Sequence, residues 1–316
     1  MTPNQRMIKN CAIVLAACLV IGIVFIALNI IVGVCGAFIP NHKDNVNTNT
    51  TNTTNTASDR NDKNNSNKNT TDSTTIDKED EKMESGDVYE NVKNLKIKSG
   101  IYKVRIERDS SIKKGVKVQL ENVSSDYKVE YKEGSETLEM EGDSDSIIHF
   151  WKDREAAKGV ITLTVSDHTE LDRIKIEMGV GSVTIEDMNV AELDVECGVG
   201  IFTCENVRAE YAQIKGGVGS VKCSEVQFDG LEMEGGIGGI SVDGVLTGKT
   251  SVVAGMGTIE LGIHVKRENY NLNVETGLGS IYVDGEKCSD IKESNNSQNN
   301  LLNVEGGIGS VKINFN

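Results

Sequence analysis

Residues 174–185 read IKIEMGVGSVTI, and residues 193–204 read LDVECGVGIFTC. Both stretches consist of an apolar alternation, a Gly-x-Gly step and a second apolar alternation, and the pattern recurs to the end of the chain. The second glycines are Gly181, Gly200, Gly219, Gly238, Gly257, Gly279 and Gly309, so the spacings are 19, 19, 19, 19, 22 and 30 residues. A constant internal period of about this length predicts a stack of repeated units.

Alignment on the second glycine predicts which positions face inward. Apolar residues occupy the positions five and one before that glycine and two and four after it, as in Ile176, Val180, Val183 and Ile185. Alternation with period two is typical of strands with one buried face, so we expect all four columns to line the interior. Glycine at the intervening step supplies a corner with positive φ and lets neighbouring backbones approach closely.

Each unit therefore reads as two short strands around a glycine corner. Nineteen residues trace roughly 60 Å, which is enough for one coil, and seven coils stacked about 4.8 Å apart give a column of about 30–35 Å. The sequence predicts an all-β, β-helix-like solenoid over 172–316. We interpret the longer last two spacings as loop insertions, the clearest being Glu286 to Asn300.

Residues 88–171 alternate less regularly, and we expect them to start the stack and cover its first coil as a β-rich cap. The segment from Tyr131 to Glu136 is typical of a hairpin turn within this cap.

The N-terminus predicts a membrane anchor. Residues 11–39 are uncharged and mostly apolar, which is long enough for one transmembrane helix. Arg6 and Lys9 in residues 1–10 place the N-terminus in the cytoplasm, so the remainder is expected outside the cell membrane. Two alternatives stay open: cleavage as a signal peptide, and lipidation of Cys18 at the lipobox-like tetrad that begins at Leu15.

Residues 41–87 form an Asn/Thr-rich tract with almost no apolar residue to bury. Such a composition predicts a disordered linker between the anchor and the repeats.

The segments Val160 to Val165 and Leu171 to Val183, with the repeats that follow them, resemble the bacterial DUF4097 family of β-strand repeat proteins, or toastrack-like domains. The resemblance covers roughly residues 88–316. It implies a solenoid-like fold in envelope proteins, some of them tied to envelope-stress signalling, and it implies no catalytic residues.

The sequence predicts no catalytic, cofactor-binding or metal-binding residues, and therefore no cofactor. The Gly-x-Gly step recurs seven times and precedes strands, unlike a dinucleotide loop. Val221 and Val311 occupy the carboxylate position of a calcium-binding repeat, so calcium is not expected. The histidines share no ligand spacing and are expected on the surface; they are His42, His149, His168 and His264.

The seven cysteines fit no zinc pattern. Cys11, Cys18 and Cys35 fall in the predicted membrane helix, Cys197 lies beside a glycine corner, and Cys288 lies in the insertion. Cys204 and Cys223 share an inward column one repeat apart, and we interpret them as buried thiols, with a disulfide as the alternative. The aromatic cluster His149-Phe150-Trp151 has two interpretations, packing at the cap or contact with a partner.

Charge, repeats and motifs together exclude one kind of partner and leave three functional classes to compare. A formal net charge of −15 argues against a nucleic-acid partner, since phosphate neutralisation needs clustered Lys and Arg. The favoured class is a membrane-anchored, extracytoplasmic, non-catalytic binding, sensing or assembly module of the bacterial cell envelope, whose partner is an envelope protein or a glycan. An adhesive or structural surface protein is the alternative. A polysaccharide-acting β-helix enzyme would need paired carboxylates on adjacent coils, which the outward positions do not provide.

Overall fold

The structure is a computed structural model of the chain, and it describes residues 86–142, 159–294 and 299–316. These residues belong to one compact unit that includes Glu84–Asn316. The predicted cytoplasmic segment and anchor, nearly all of the predicted linker, and Cys11, Cys18, Cys35, His42 and the cluster at 149–151 lie outside the described residues. Within the described ranges, the model contains no helix with the length and apolar character needed to cross a membrane.

The predicted all-β class is confirmed for the described residues. The strands are β1 (Asp87–Tyr89), β2 (Asn94–Gly100), β3 (Lys103–Arg108), β4 (Val116–Glu121), β5 (Lys128–Lys132), β6 (Thr137–Glu141), β7 (Val160–Val165), β8 (Leu171–Glu186), β9 (Asn189–Glu205), β10 (Arg208–Phe228), β11 (Leu231–Leu246), β12 (Lys249–Ile263), β13 (Tyr270–Val283), β14 (Glu286–Cys288), β15 (Ile291–Glu293) and β16 (Asn300–Phe315). Among the same described residues, short 3-10 helices span Glu133–Ser135 and Arg267–Asn269.

Seven long strands form the body of the stack, one for each Gly-x-Gly unit. Each bends at its glycine step and pairs in parallel with the next, so that equivalent residues of adjacent coils lie side by side. The partners of Val183 in β8 and Val221 in β10, for example, are both Phe202 of β9. The one-repeat register that the 19-residue period predicts is therefore present from β8 to β12.

The coils are not stacked in the order of the chain. The spatial order is β8-β9-β10-β11-β12-β16-β13, so the last strand of the chain lies between β12 and β13. β16 pairs in parallel with both neighbours, with Ile308 opposite Met256 of β12 and Leu278 of β13. The segment from Glu286 to Asn300 is therefore more than a surface insertion: it carries the chain back into the stack.

Antiparallel strands cover both ends of the stack. At the C-terminal end, β14 and β15 pair antiparallel with the two halves of β13. At the other end, β2 and β3 form a coil against β8, and β6 and β7 form the next coil outward. β4 and β5 then pair antiparallel with β7 and β6, and the turn between β5 and β6 is the hairpin expected near Gly134. The outermost strands are short and rich in charge, which disfavours edge-to-edge aggregation.

Three of the four predicted apolar columns line the core. The columns five before and two and four after the second glycine are buried in every coil, as Val195, Phe202 and Cys204 of β9 illustrate. The fourth column, one before the second glycine, is not buried. Val180, Val199, Leu278 and Ile308 are 45%, 48%, 72% and 50% exposed, which contradicts the expectation that this column faces inward.

Candidate interaction surface

The fourth apolar column forms a continuous row on the outside of the solenoid, here called the ridge. Its members are paired in register along the whole stack. In spatial order they are Val180, Val199, Val218, Ile237, Met256, Ile308 and Leu278. Single exposed aliphatic residues are normal on proteins, but a contiguous apolar row marks a site where something docks.

The glycines on both sides of the ridge explain why these side chains project. At six of the seven second glycines the backbone adopts φ between 140° and 150°, as in Gly238 (φ 140), a conformation that side chains rarely allow. A Cβ on Gly238 would also overlap the carbonyl oxygen of Gly219 in the preceding coil. The corner therefore has to be built from glycine, and the residue between the two glycines has no side chain beside it from either chain neighbour. Four of these seven residues are exposed and three are half-buried.

One side of the ridge is a surface rich in hydroxyl groups, here called the hydroxyl face. It contains the outward residues one and three positions after the second glycine. In spatial order the first column reads Ser182, Ile201, Ser220, Gly239, Thr258, Ser310 and Ser280, and the second reads Thr184, Thr203, Lys222, Ser241, Glu260, Lys312 and Tyr282. Ile201 is 51% exposed and extends the apolar area beyond the ridge. The first column is made of small side chains apart from Ile201, so another surface can approach this face closely.

The other side of the ridge is acidic. Four positions before the second glycine, the outward residues in spatial order are Glu177, Glu196, Lys215, Glu234, Val253, Glu305 and Glu275, here called the acidic column. The ridge thus separates a nearly neutral hydroxyl face from a face of negative charge. A surface with this charge is not suited to anionic lipid.

Many outward charges are already paired with one another along the stack. Lys175 Nζ donates to Asp194 at 2.8 Å, one coil away, and this bond raises the pKa of Lys175. Lys312 Nζ donates to Glu260 at 2.7 Å, and Arg173 pairs with Glu192. These side chains have a structural role, since they connect successive coils on the solvent side. Lys222, on the hydroxyl face, makes no ion pair among the residues that the structure describes.

A second surface feature lies at a different corner of the coil. An open concavity of about 940 Å³ is lined by polar side chains from successive turns, among them Asp187, Asn206 and Arg208. Asn206 Nδ2 donates to Asp187 Oδ1 at 2.6 Å, and Arg208 Nε donates to Gln227 Oε1 at 2.8 Å. Because these groups satisfy one another, the concavity is the weaker candidate for binding.

The sequence predicted the glycine corner but not a second corner of the coil, which lies beside this concavity. Asp187, Asn206 and Glu225 adopt left-handed backbone conformations with φ of 55°, 50° and 55°, and each stands six residues after its second glycine. The signal that could have found this corner is the Asp and Asn at that position, since these residues tolerate the left-handed region.

The described cysteines are Cys197, Cys204 and Cys223, which are buried, and Cys288, which is half-buried. Cys204 and Cys223 are register partners, both buried and both free thiols, as interpreted from their shared column. Burial, followed by a hydrogen bond with Cys223, raises the pKa of Cys204 well above its usual value. Burial raises the pKa of Cys197 to about 11. Such thiols act as small apolar side chains and not as nucleophiles.

The two described histidines lie on the surface as predicted. His168 and His264 are both exposed, and His264 Nε2 lies 3.3 Å from an oxygen of Asp243. Within the described ranges, the structure brings together no group of three His, Cys, Asp or Glu side chains that could hold a metal ion.

Comparison with known proteins gives a family match for most of the repeat domain. The model of the family described as Toastrack DUF4097 matches residues 153–314, which is more than half of the chain. No curated protein matches the chain.

Four chains of solved structures also match. One, a candidate adhesin from Bacteroides fragilis NCTC 9343, is 16% identical, and the match covers 72% of this chain and 93% of that chain with a TM-score of 0.40. Another, a candidate cell adhesion protein from Clostridium sporogenes ATCC 15579, is 12% identical, and the match covers 73% of this chain and 97% of that chain with a TM-score of 0.32.

Proposed function

The chain belongs to the Toastrack DUF4097 family, and from that premise we propose that it is a non-catalytic binding module of the bacterial cell envelope. In this proposal, residues 11–39 anchor the chain in the cell membrane, residues 41–87 act as a tether, and the solenoid lies outside the cytoplasm. The ridge is the surface through which the solenoid meets its partner.

The exposed ridge is the observation that carries the proposal. Burying an aliphatic side chain is favourable by about 25 cal/mol per Å² of apolar surface, so folding alone gives no reason for a row of seven apolar side chains of which four are exposed and three are half-buried. The other apolar columns of the repeat are accounted for by the core, and the glycines by the corner. The ridge is the column that folding leaves unexplained.

Support for a non-catalytic role comes from how the charged side chains are used. General acid–base chemistry needs a carboxyl group held for a substrate, often with a shifted pKa. The carboxyl group with a large described shift is Glu139 in the cap, where hydrogen bonds from Lys132 and Lys96 lower its pKa to about 2. That carboxylate is occupied by two lysines of its own sheet and is not available to a substrate.

Photo-crosslinking in intact cells tests the proposal. A photo-reactive amino acid at Val199 on the ridge is expected to capture a membrane or envelope protein, while the same amino acid at Asn189 beside the concavity serves as the matched control. Capture at Asn189 alone would move the binding surface to the concavity and overturn the ridge. Capture of material from another cell or from host matrix would support the alternative, an adhesive surface protein.

A protease protection assay tests the membrane placement separately. Protease added outside intact cells is expected to release the solenoid by cleavage in the tether. Full protection of the solenoid in intact cells, with cleavage only after lysis, would show that it lies in the cytoplasm.

A further inference from the structure

We propose that the partner of the ridge is a second copy of this chain, which packs in the antiparallel direction with the two hydroxyl faces toward each other. This inference deepens the proposed function and rests on it, because the tether would hold the copies at high local concentration. The argument comes from the period of the ridge, its charge and its area.

The period of the ridge fits another stacked β-structure. Its side chains repeat once per coil, and coils lie about 4.8 Å apart. A second ridge with the same spacing can place each of its side chains against one side chain of the first along the whole stack. A partner without this repeat would meet only a few of the seven side chains.

The charges select which faces meet. The acidic column of one copy would repel that of the other if these sides were in contact, since five of its seven residues are Glu. The hydroxyl face carries Lys222, Glu260 and Lys312 as its principal charges. The second copy is therefore expected on the hydroxyl side, with the acidic columns directed outward.

The same charges select the direction. A parallel copy would place Lys222 opposite Lys222 and Glu260 opposite Glu260. An antiparallel copy, centred on Ile237 as the fourth of seven ridge residues, separates the two Lys222 side chains. It places each Lys222 opposite Glu260 of the other copy, a carboxylate that also accepts from Lys312 of its own chain. Like charges in direct opposition cost free energy and opposite charges guide association, so the antiparallel direction is favoured. A two-fold axis at Ile237 then makes the interface isologous.

The area predicts a weak interaction in free solution. Seven partly exposed aliphatic side chains form a patch on the order of 400–600 Å², as on proteins with a functional patch. Two copies would bury about 1,000 Å², which is at the lower limit of specific interfaces. We therefore expect the dimer to depend on the membrane tether for its population.

Cysteine cross-linking of the full chain in its native membrane tests this arrangement. Ile237→Cys lies on the proposed axis, so mild oxidation is expected to give a disulfide-linked dimer above the level of the unsubstituted chain, which keeps every native cysteine. Val199→Cys lies two coils from the axis and is expected to give at least several-fold less. Dimer formed more readily at 199 than at 237 would contradict the antiparallel direction.

A pair of opposite charges introduced on the ridge, here called the charge exchange, provides the second measurement. In the antiparallel dimer Val199 of one copy lies opposite Ile308 of the other. In the Ile237→Cys background, Val199→Lys combined with Ile308→Glu is expected to restore the cross-linking that each single change reduces by several-fold. Circular dichroism of each variant checks that the solenoid is folded.

Failure of this inference is distinguishable from failure of the proposed function. A folded Ile237→Cys chain that gives no dimer above baseline, or a charge exchange that restores nothing, would overturn the second copy as the partner. If Val199 still captures another envelope protein in the photo-crosslinking experiment, the proposed binding function would stand with a different partner.

Discussion

At the scale of single residues, two backbone conformations make the coil turn. Glycine at the second position of each Gly-x-Gly step provides one corner, and the left-handed residues Asp187, Asn206 and Glu225 provide another. The two corners differ in what they tolerate. The glycine corner is limited by both φ and contact with the next coil, whereas the left-handed corner is limited by φ alone and accepts a side chain.

Two adjacent glycines of β11 separate these limits. Gly238→Ala is expected to lower the free energy of unfolding by more than about 3 kcal/mol or to prevent folding, because it adds backbone strain and an overlap with Gly219. Gly239→Ala, where a Cβ meets nothing within 4 Å, is expected to change the free energy of unfolding by less than about 1 kcal/mol. Urea unfolding measures both, and equal losses for the two variants would refute the proposed role of the corner.

Glu225 is the least suited residue at the left-handed corner. Glu225→Asn is expected to stabilise the protein by about 0.5–1 kcal/mol, because Asn accepts a left-handed conformation more readily than Glu. Glu205→Asn is the control, since Glu205 is also exposed but does not have positive φ. The melting temperature of Glu225→Asn is expected to rise, and that of Glu205→Asn is not. A lower melting temperature for Glu225→Asn would contradict this account.

At the scale of elements, the position of β16 is the main result. The chain completes β13, covers it with β14 and β15, and only then supplies the strand that lies between β12 and β13. β12 and β13 thus both pair with a strand that is synthesised after them. The edge of β12 would stay unpaired until β16 has been synthesised, which is a liability for aggregation during synthesis.

Engineered disulfides distinguish this order from chain-order stacking. Thr258 and Ser310 are register partners in adjacent strands, with side-chain oxygens 3.4 Å apart. Thr258→Cys with Ser310→Cys is therefore expected to form a disulfide, since neighbouring strands place Cα atoms within the disulfide range. Thr258→Cys with Ser280→Cys spans two strand spacings, about 9–10 Å, and is not expected to form one. Mass spectrometry of peptides reports both, and the opposite result would place β13 directly on β12.

At the scale of the whole molecule, the solenoid is a column of interchangeable coils between two antiparallel caps. Each coil contacts mainly its neighbours, so stability is approximately a sum of coil and interface contributions. The apolar core is continuous from Leu95 in the first coils to Ile281 in the last. The caps protect both ends, and the coils between them can in principle change in number.

Removal of one complete coil tests this architecture. Ala212 pairs with Leu231, a difference of 19 residues, so deletion of residues 213–231 lets Ala212 take the place of Leu231 without a change of register. The shortened chain is expected to fold with the same type of circular dichroism spectrum and a lower unfolding free energy.

Deletion of residues 213–230 is the matched control. It leaves the chain one residue out of register, and a one-residue shift turns inward side chains outward. This variant is expected to lose cooperative urea unfolding. If both deletions behave alike, the coils are not the independent units described above.

The sequence by itself determined the all-β class, the 19-residue coil, its glycine corner and three of its four apolar columns. These features follow from local periodicity and from the steric demands of glycine, which do not depend on distant parts of the chain. The ridge could not be separated from the core in this way, because the alternation changes phase at the corner and Val199 looks as apolar as Val195. The order of the coils could not be predicted from the sequence either, because β16 presents the same apolar columns as β13 and either strand could pair with β12. Only the tertiary structure decided which side of the corner faces solvent and which strand fills the position next to β12, since both depend on how the whole stack closes.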